Sequence, residues 1–385
     1  MKIIILFDII NWGIIIKKIL KSILIVLVPL VSIVLTYVVY MQIQYYRIED
    51  NLDLSKDILN NQEEAVVLNQ EYTITTYNIG FGAYNREFSF FMDSGTMKDG
   101  KKVSGIGSRA KSKKVVEENT NGAIEVILGQ DADFMLFQEV DTNSTRSHKV
   151  NQYELLRSSF DEYASIYASN FHSAFLFYPI FNPHGKTSSG IVTFSKYKME
   201  SVIRRKLPID ESFLNKFFDL DRAFTISRFE VDNGKELVII NIHMSAYDEG
   251  GVYRKMQLEL LNDVLTSEKN KGNYVVAGGD FNHDIANSLN LFETEQLVPE
   301  WVFEIKEEDI ASGFRIAASN LNPTCRSTDI AYEEKVNYTV VIDGFIVSDN
   351  IEVTSVENIV KLGLQDVNFL YSDHNPVKMK FTLKG

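Results

Sequence analysis

The stretch Asn273 to Asp284, NYVVAGGDFNHD, sets a carboxylate and an amide two residues apart directly after an apolar run. Tyr274 to Ala277 is short, rich in β-branched residues and bounded by Gly278 and Gly279, which predicts a central strand that stops at a glycine break. In an extended chain, residues two apart face the same side, so Asp280 and Asn282 reach one spot while Phe281 turns into the core. A carboxylate beside a neutral amide suits a hard cation, a water and a phosphate oxygen. The competing reading is a turn in which both side chains only bond their own backbone.

The elements that would position this pair recur along the chain. Strands are predicted at Tyr72 to Asn78, Phe134 to Phe137, Gly190 to Phe194, Ala223 to Val231, Leu237 to Ile242, Tyr338 to Ser348 and Pro376 to Leu383. Helical spacing runs from Val116 to Leu128, ended by Gly129, and again from Tyr253 to about Thr266. Asn78, Glu139, His243, Asp280 with Asn282, and Asp373 with His374 each sit where a strand gives way to a loop. Strand ends in a layered sheet protein gather at one rim, so their joint recurrence points to one site. Asp343 lies inside the Tyr338–Ser348 run. Between Phe81 and Lys114 lies an irregular insert without a clear period, a candidate substrate loop.

Residues 1–47 read as a membrane anchor, with a charge-free run at 22–41, SILIVLVPLVSIVLTYVVYM, long enough to cross a bilayer despite Pro29. Ile3 to Ile16 is also apolar but interrupted by Asp8 and Asn11; it either lies at the interface or extends the anchor. Lys17, Lys18 and Lys21 precede the span and only Arg47 closely follows it, so the N-terminus is expected inside and the bulk of the chain outside, as a single-pass cell-membrane protein. Residues 48–71 are acidic and Asn-rich, a stalk or linker able to supply a first edge element, and 72–385 form the catalytic domain. The lone Cys325 excludes an intramolecular disulfide and a multi-cysteine metal site. Of the formal charge of −13, residues 1–47 contribute +4, leaving −17 on the remainder, which weakens the case for non-specific nucleic-acid binding.

The ordered motifs TTYNIG (75–80), DADFMLFQEVD (131–141), SSGIVTFSKY (188–197), VIINIHMS (238–245), GGDFNHD (278–284), VIDGFIVS (341–348) and YSDHNPV (371–377) resemble the endonuclease/exonuclease/phosphatase superfamily, which includes deoxyribonuclease I and bacterial sphingomyelinases. The resemblance implies an α+β fold, a four-layer α/β/β/α sandwich of two packed β-sheets with the site at one rim, here preceded by a transmembrane helix. It implies a metal-dependent phosphoesterase, with Glu139 binding Mg²⁺ (Mn²⁺ as the alternative), Asn78 beside it and Asp373 completing the surroundings. Asp280 and Asn282 would orient or activate water and hold the phosphate, and His243 would contact phosphoryl oxygens. His374 would stabilise or protonate phosphate oxygens, or act as base, with Asp343 on its other ring nitrogen. An Asp bonded to a His fixes its tautomer and raises its pKa, but whether Asp280 or His374 takes the water's proton stays open.

GKT at 185–187 is not a phosphate loop, because Ile180 stands where the first glycine belongs. HExxH and GxSxG motifs are absent. Asp343 follows Val340, Val341 and Ile342, unlike the inositol-phosphatase or apurinic-endonuclease branches, so a general phosphodiesterase is expected, acting on nucleic acid or a phospholipid headgroup. No protein partner is expected beyond the membrane. Tyr84, Phe90, Phe91, Arg109, Arg146, Phe181 and Lys186 in the inserts are candidate substrate contacts, whereas His148, His172, His184 and His283 lack a motif role. The alternative is a non-catalytic surface binding or scaffold protein that retains the fold.

Overall fold

A computed structural model describes residues 2–212, 216, 221–246 and 251–385, with the backbone alone for 2–11, 13 and 14. Two compact units emerge, Met1–Tyr46 and Arg47–Gly385. The first is one helix, α1 (Lys2–Gln44), which runs on through Pro29. Its stretch Ile15–Gln44 is long and apolar enough to cross a membrane. The Ile3 to Ile16 run continues the same helix; the side chains of Asp8 and Asn11 lie outside the described ones.

The second unit is a sandwich of two sheets. In chain order its strands are β1 (Leu52–Asp53), β2 (Glu71–Asn78), β3 (Phe134–Asp141), β4 (Ala164–Leu176), β5 (Gly185–Ser195), β6 (Ser201–Lys206), β7 (Ala223–Glu230), β8 (Glu236–His243), β9 (Tyr274–Asp280), β10 (Phe314–Ala317), β11 (Asp343–Ser348), β12 (Ile351–Asn358) and β13 (Val377–Leu383). One sheet has the order β1-β6-β7-β8-β9-β11-β10 and the other β12-β13-β2-β3-β5-β4. Helices α2 (Lys113–Leu128) and α3 (Gln152–Ser159) cover the second sheet, and α4 (Val252–Asn270) covers the first.

Side-chain alternation explains why the strands stack this way. Leu237 and Ile239 of β8, Tyr274 and Val276 of β9, Ile74 of β2 and Phe134 and Leu136 of β3 meet in the core between the sheets. Their neighbours Val238, Ile240, Val275 and Ala277 turn to the α4 side, while Met135, Phe137 and Tyr77 turn to α2 and α3. Each fully buried Val, Ile, Leu or Phe contributes roughly 1.5–3 kcal/mol, so the two-sided pattern fixes which face of every strand is inward.

Several expectations are refined. The strand at Tyr274 does not stop at the glycines but continues through them to Asp280. A side chain at Gly278 would strike the Phe345 ring, and one at Gly279, where φ is +146°, would meet the Ile242 carbonyl 2.0 Å away, so the pair permits close packing instead of ending the strand. The Tyr338–Ser348 run divides into a short bridge at Thr339–Val340 and β11. Residues 48–71 supply a first edge element: β1 pairs with β6 at the edge of its sheet, and Leu54 and Val66 enter the inter-sheet core.

Charge also ties α4 to its sheet. Glu268 accepts bonds from Arg228 (2.9 and 2.7 Å), Lys271 (2.8 Å) and Asn273 (2.8 Å). Burial alone would raise its carboxyl, but these bonds, Arg228 foremost, outweigh it and pull the pKa down to about 2. A folded-state value below the unfolded one gives stability that is present above the unfolded pKa and lost as pH falls through the folded pKa. Glu268→Gln is therefore expected to destabilise the protein at neutral pH by on the order of 2 kcal/mol. Urea unfolding should also show a smaller loss of stability between about pH 4.5 and pH 2 than the parent chain has.

Candidate active site

The inward face of each central strand is apolar along its length and turns polar at one end. On β8 the inward series Leu237, Ile239 continues to Asn241 and His243; on β9 it ends at Asp280; on β11 it begins at Asp343. Parallel pairing of β8 with β9 sets His243 beside Asp280, and antiparallel pairing of β9 with β11 sets Asp280 beside Asp343. Strand register alone thus lines up three titratable groups in one cross-strand row.

The facing sheet supplies the opposite wall. β2 and β3 run parallel, bringing Asn78 beside Gln138. Asn78 Nδ2 donates to Asp280 Oδ2 across the sandwich at 3.0 Å, and Gln138 Nε2 donates to Asn241 Oδ1 at 2.8 Å one layer deeper. Glu139 sits where β3 and β5 slip register between Phe137 and Val140, with φ at +54°. Regular alternation would send Glu139 to the α2 side with Phe137; the bulge turns it into the cavity. Asn282 also has positive φ, +50°, and its backbone N–H donates to Asp280 Oδ1 at 2.8 Å. The turn bonds Asp280 to the backbone of Asn282, and both residues line the same cavity.

A cavity of about 550 Å³ opens over this rim, lined by Asn78, Glu139, His243, Asp280, Asn282, Asp373 and His374. Asp343 stands behind His374, with Oδ2 2.8 Å from its Nδ1. His374 Nε2 lies 3.7 Å and His243 Nε2 3.4 Å from Asp280 Oδ2. All eight residues singled out by sequence therefore converge on one place. Of the candidate substrate contacts, Tyr84, Phe90 and Arg146 line the cavity; Phe91, Arg109, Phe181 and Lys186 do not.

Electrostatics separates the two imidazoles. Burial works against a charged His374, yet the carboxylate of Asp343, with Cys325 and Asp280, outweighs it and lifts the pKa well above the usual value. His243 is driven well below it by burial, then by Arg222 and His374, and so stays neutral. Burial likewise raises Glu139, and it raises Asp280 to about 6 although His374 draws Asp280 down. Glu139, Asp280 and Asp373 line the cavity with Asp343 behind them, and among the described residues Asp343 Oδ1 is buried with no hydrogen-bond partner. An oxygen-rich set with surplus negative charge fits a hard divalent cation such as Mg²⁺ or Mn²⁺. Asp280, Asp343 and His374 also bring ligand atoms within 4.8 Å of one another. Two members of that group, Asp343 and His374, are already joined by the Oδ2–Nδ1 hydrogen bond.

Sequence reading passed over several wall residues. Arg222, at the start of β7, and Tyr253, Trp301, Cys325 and Arg326 all line the cavity. Arg222 had a local signal, a basic residue opening a strand otherwise built for burial; Trp301 comes from an irregular stretch and had none. His184, which has no motif role, forms part of the wall, with Nδ1 2.7 Å from the Ser108 carbonyl. His172 lies inside β4 and pairs with Asp221. Arg146 holds Asp141 through two bonds of 3.0 and 2.9 Å, lies 3.9 Å from Glu139 and stacks on Phe81 at 3.9 Å, so it braces the bulge.

Among solved structures, an endonuclease/exonuclease/phosphatase from Beutenbergia cavernae is similar at 16% identity and a TM-score of 0.51, over 82% of this chain and 72% of that one. The human nocturnin catalytic domain with bound sulfate anion is similar at 18% identity and TM-score 0.49, over 82% and 95% of the two chains. A Bacteroides vulgatus endonuclease/exonuclease/phosphatase follows at 15% identity and TM-score 0.47, over 82% and 100%. A search of curated protein sequences returns no match. The sequence profile of the Endonuclease/Exonuclease/phosphatase family matches residues 75–374, a span that holds every residue of the rim described above, and the chain belongs to that family.

Proposed function

We propose that this protein is a divalent-metal-dependent phosphodiesterase, anchored by α1 in the cell membrane with its catalytic domain outside, that hydrolyses a phosphodiester by in-line attack of water. The observation that carries the reading is the cross-strand row His243–Asp280–Asp343, closed by His374 on Asp343 and by Asn78 from the facing sheet. Three neighbouring strands and a loop hold both imidazoles to within 4 Å of one carboxylate, an arrangement suited to moving a proton at a phosphorus centre.

In this reading Glu139 holds Mg²⁺ or Mn²⁺, with Asn78 and Asp373 beside it. The cation supplies Lewis-acid neutralisation of a non-bridging phosphoryl oxygen. Asp280 accepts a hydrogen bond from the attacking water and aligns it, while Asn282 donates its amide to the phosphoryl group. Asp343 keeps His374 oriented and protonated, so that its Nε2–H faces the oxygen where charge develops. Neutral His243 donates to a second phosphoryl oxygen without adding charge. The acidity of the domain weighs against a polyanionic nucleic acid and toward a phospholipid headgroup.

Full-length protein should cleave a phosphodiester only with divalent metal, and chelation should abolish turnover. Release of phosphocholine from sphingomyelin vesicles, set against digestion of plasmid DNA, separates the two substrate classes. Glu139→Gln and His374→Ala are each expected to lower kcat about 10³-fold with unchanged circular dichroism. Activity surviving in both variants would remove the assignment and leave a binding or scaffold role.

Metal binding has its own readout in calorimetry. Mg²⁺ or Mn²⁺ at about 100 times its dissociation constant should stabilise the fold by roughly 2.7 kcal/mol. Glu139→Gln should lose most of that increment; an equal upward shift of Tm in parent and variant would place the cation elsewhere.

A further inference from the structure

The loop between β4 and β5 carries a cluster of exposed apolar side chains. Phe181 is fully exposed, and Tyr178 and Ile180 are each more than half exposed. A second tip lies beside this one. Phe91 packs its ring on Tyr178 at 5.6 Å, Ser108 Oγ donates to the Asn182 carbonyl, and Arg109 Nε donates to the Pro183 carbonyl. That neighbouring insert presents Ile106, 86% exposed, and Met92, 55% exposed. The two tips form one protruding patch, and its base runs into the cavity, because Leu176, His184, Phe90 and Met92 are lining residues.

Charge around the patch runs against that of the domain. Residues 86–114 carry eight Lys/Arg against three Asp/Glu, of which Arg86, Lys113 and Lys114 pair with Asp366, Glu117 and Glu118 outside that stretch, although the chain beyond residue 47 totals −17. Lys101, Lys102 and Lys186 are exposed on the strands and loops that carry the tips, and Lys111 next to Arg109 is 76% exposed beside Glu87. Aromatic and aliphatic tips with exposed lysines on the same segments match the water–membrane boundary, where rings sit at headgroup level and basic side chains meet anionic lipid. A protein partner would call for a flatter patch with a mixed polar rim.

We infer that the tips at Tyr178–Phe181 and Met92/Ile106 form a bilayer-docking surface, which enters the lipid headgroup region and turns the mouth of the cavity toward the membrane. This goes beyond the phosphodiesterase chemistry and rests on that reading only for α1 as the membrane anchor. The occupant is the lipid surface itself, chosen by three features: apolar tips with basic flanks, continuity with the cavity mouth, and an apolar helix in the same chain able to hold the protein at a bilayer. Burial of two or three such side chains is a weak anchor alone, but it suffices to orient a domain already confined to the surface.

The test uses full-length protein carrying Phe181→Cys, spin-labelled and reconstituted in nanodiscs of mixed phosphatidylcholine and phosphatidylglycerol. The buried Cys325 makes the unsubstituted chain the labelling blank. Leu364→Cys, at a fully exposed apolar position in a separate hairpin, serves as the control. At 181, collision of the label with oxygen should exceed collision with a water-soluble nickel chelate severalfold, and at 364 the order should reverse. The same water-like pattern at both positions would overturn the proposal. Shielding of 181 from both reagents would also overturn it, by showing that a second copy of the chain covers the patch.

Discussion

Desolvated like charges must be held side by side, and the rest of the molecule follows from how that is done. Asp280 is the shared member: it bonds Asn78 and the Asn282 backbone and approaches both His243 and His374. Left in an apolar interior, such a carboxylate would be neutralised or would destabilise the fold. Here it sits at the one edge where the inter-sheet core gives out, within reach of imidazoles, amides and solvent in the cavity. The Gln138–Asn241 bond marks that transition, with Phe134 and Leu136 on its apolar side and Glu139 and His243 on its polar side.

Much of this was legible in the sequence because period-two alternation reports which face of a strand is buried. The runs ending at Asn78, His243 and Asp280 are short, rich in β-branched residues and punctuated by polar residues, and each became a strand ending at the rim. Other strands were hidden. ASIYASNFHSAFL of β4 is diluted by serine, alanine and asparagine, and SVIRRK of β6 buries Arg204, whose guanidinium bonds the carbonyls of Ser169 and Asp221. Burial of an arginine by carbonyl capture leaves no hydropathy signal. β12 breaks its alternation at a register shift between Val353 and Ser355, and it was passed over.

Two local distortions could not be read from period. Nothing in QEVD announces that Glu139 sits in the left-handed region at a bulge, nor does DFN show that Asn282 does. Both conformations are sparsely populated for non-glycine residues and persist only where the surroundings over-determine them. For Glu139 those surroundings are Arg146, clamped to Asp141 and stacked on Phe81. Arg146 was visible as a base in an insert, but its bracing of a strained carboxylate depends on contacts that no sequence window contains.

The alignment of His243, Asp280 and Asp343 by strand register divides the chain into parts with different freedom to change. Removing or adding one residue within β8, β9 or β11 would turn a rim side chain from the inner face to the outer one, so these segments do not tolerate a change of length. The loops leaving the same rim have no such bookkeeping and can lengthen, shorten or exchange sequence at small entropic cost. A lineage built on this scaffold can therefore diversify what it recognises by indels around a reaction centre whose spacing stays frozen.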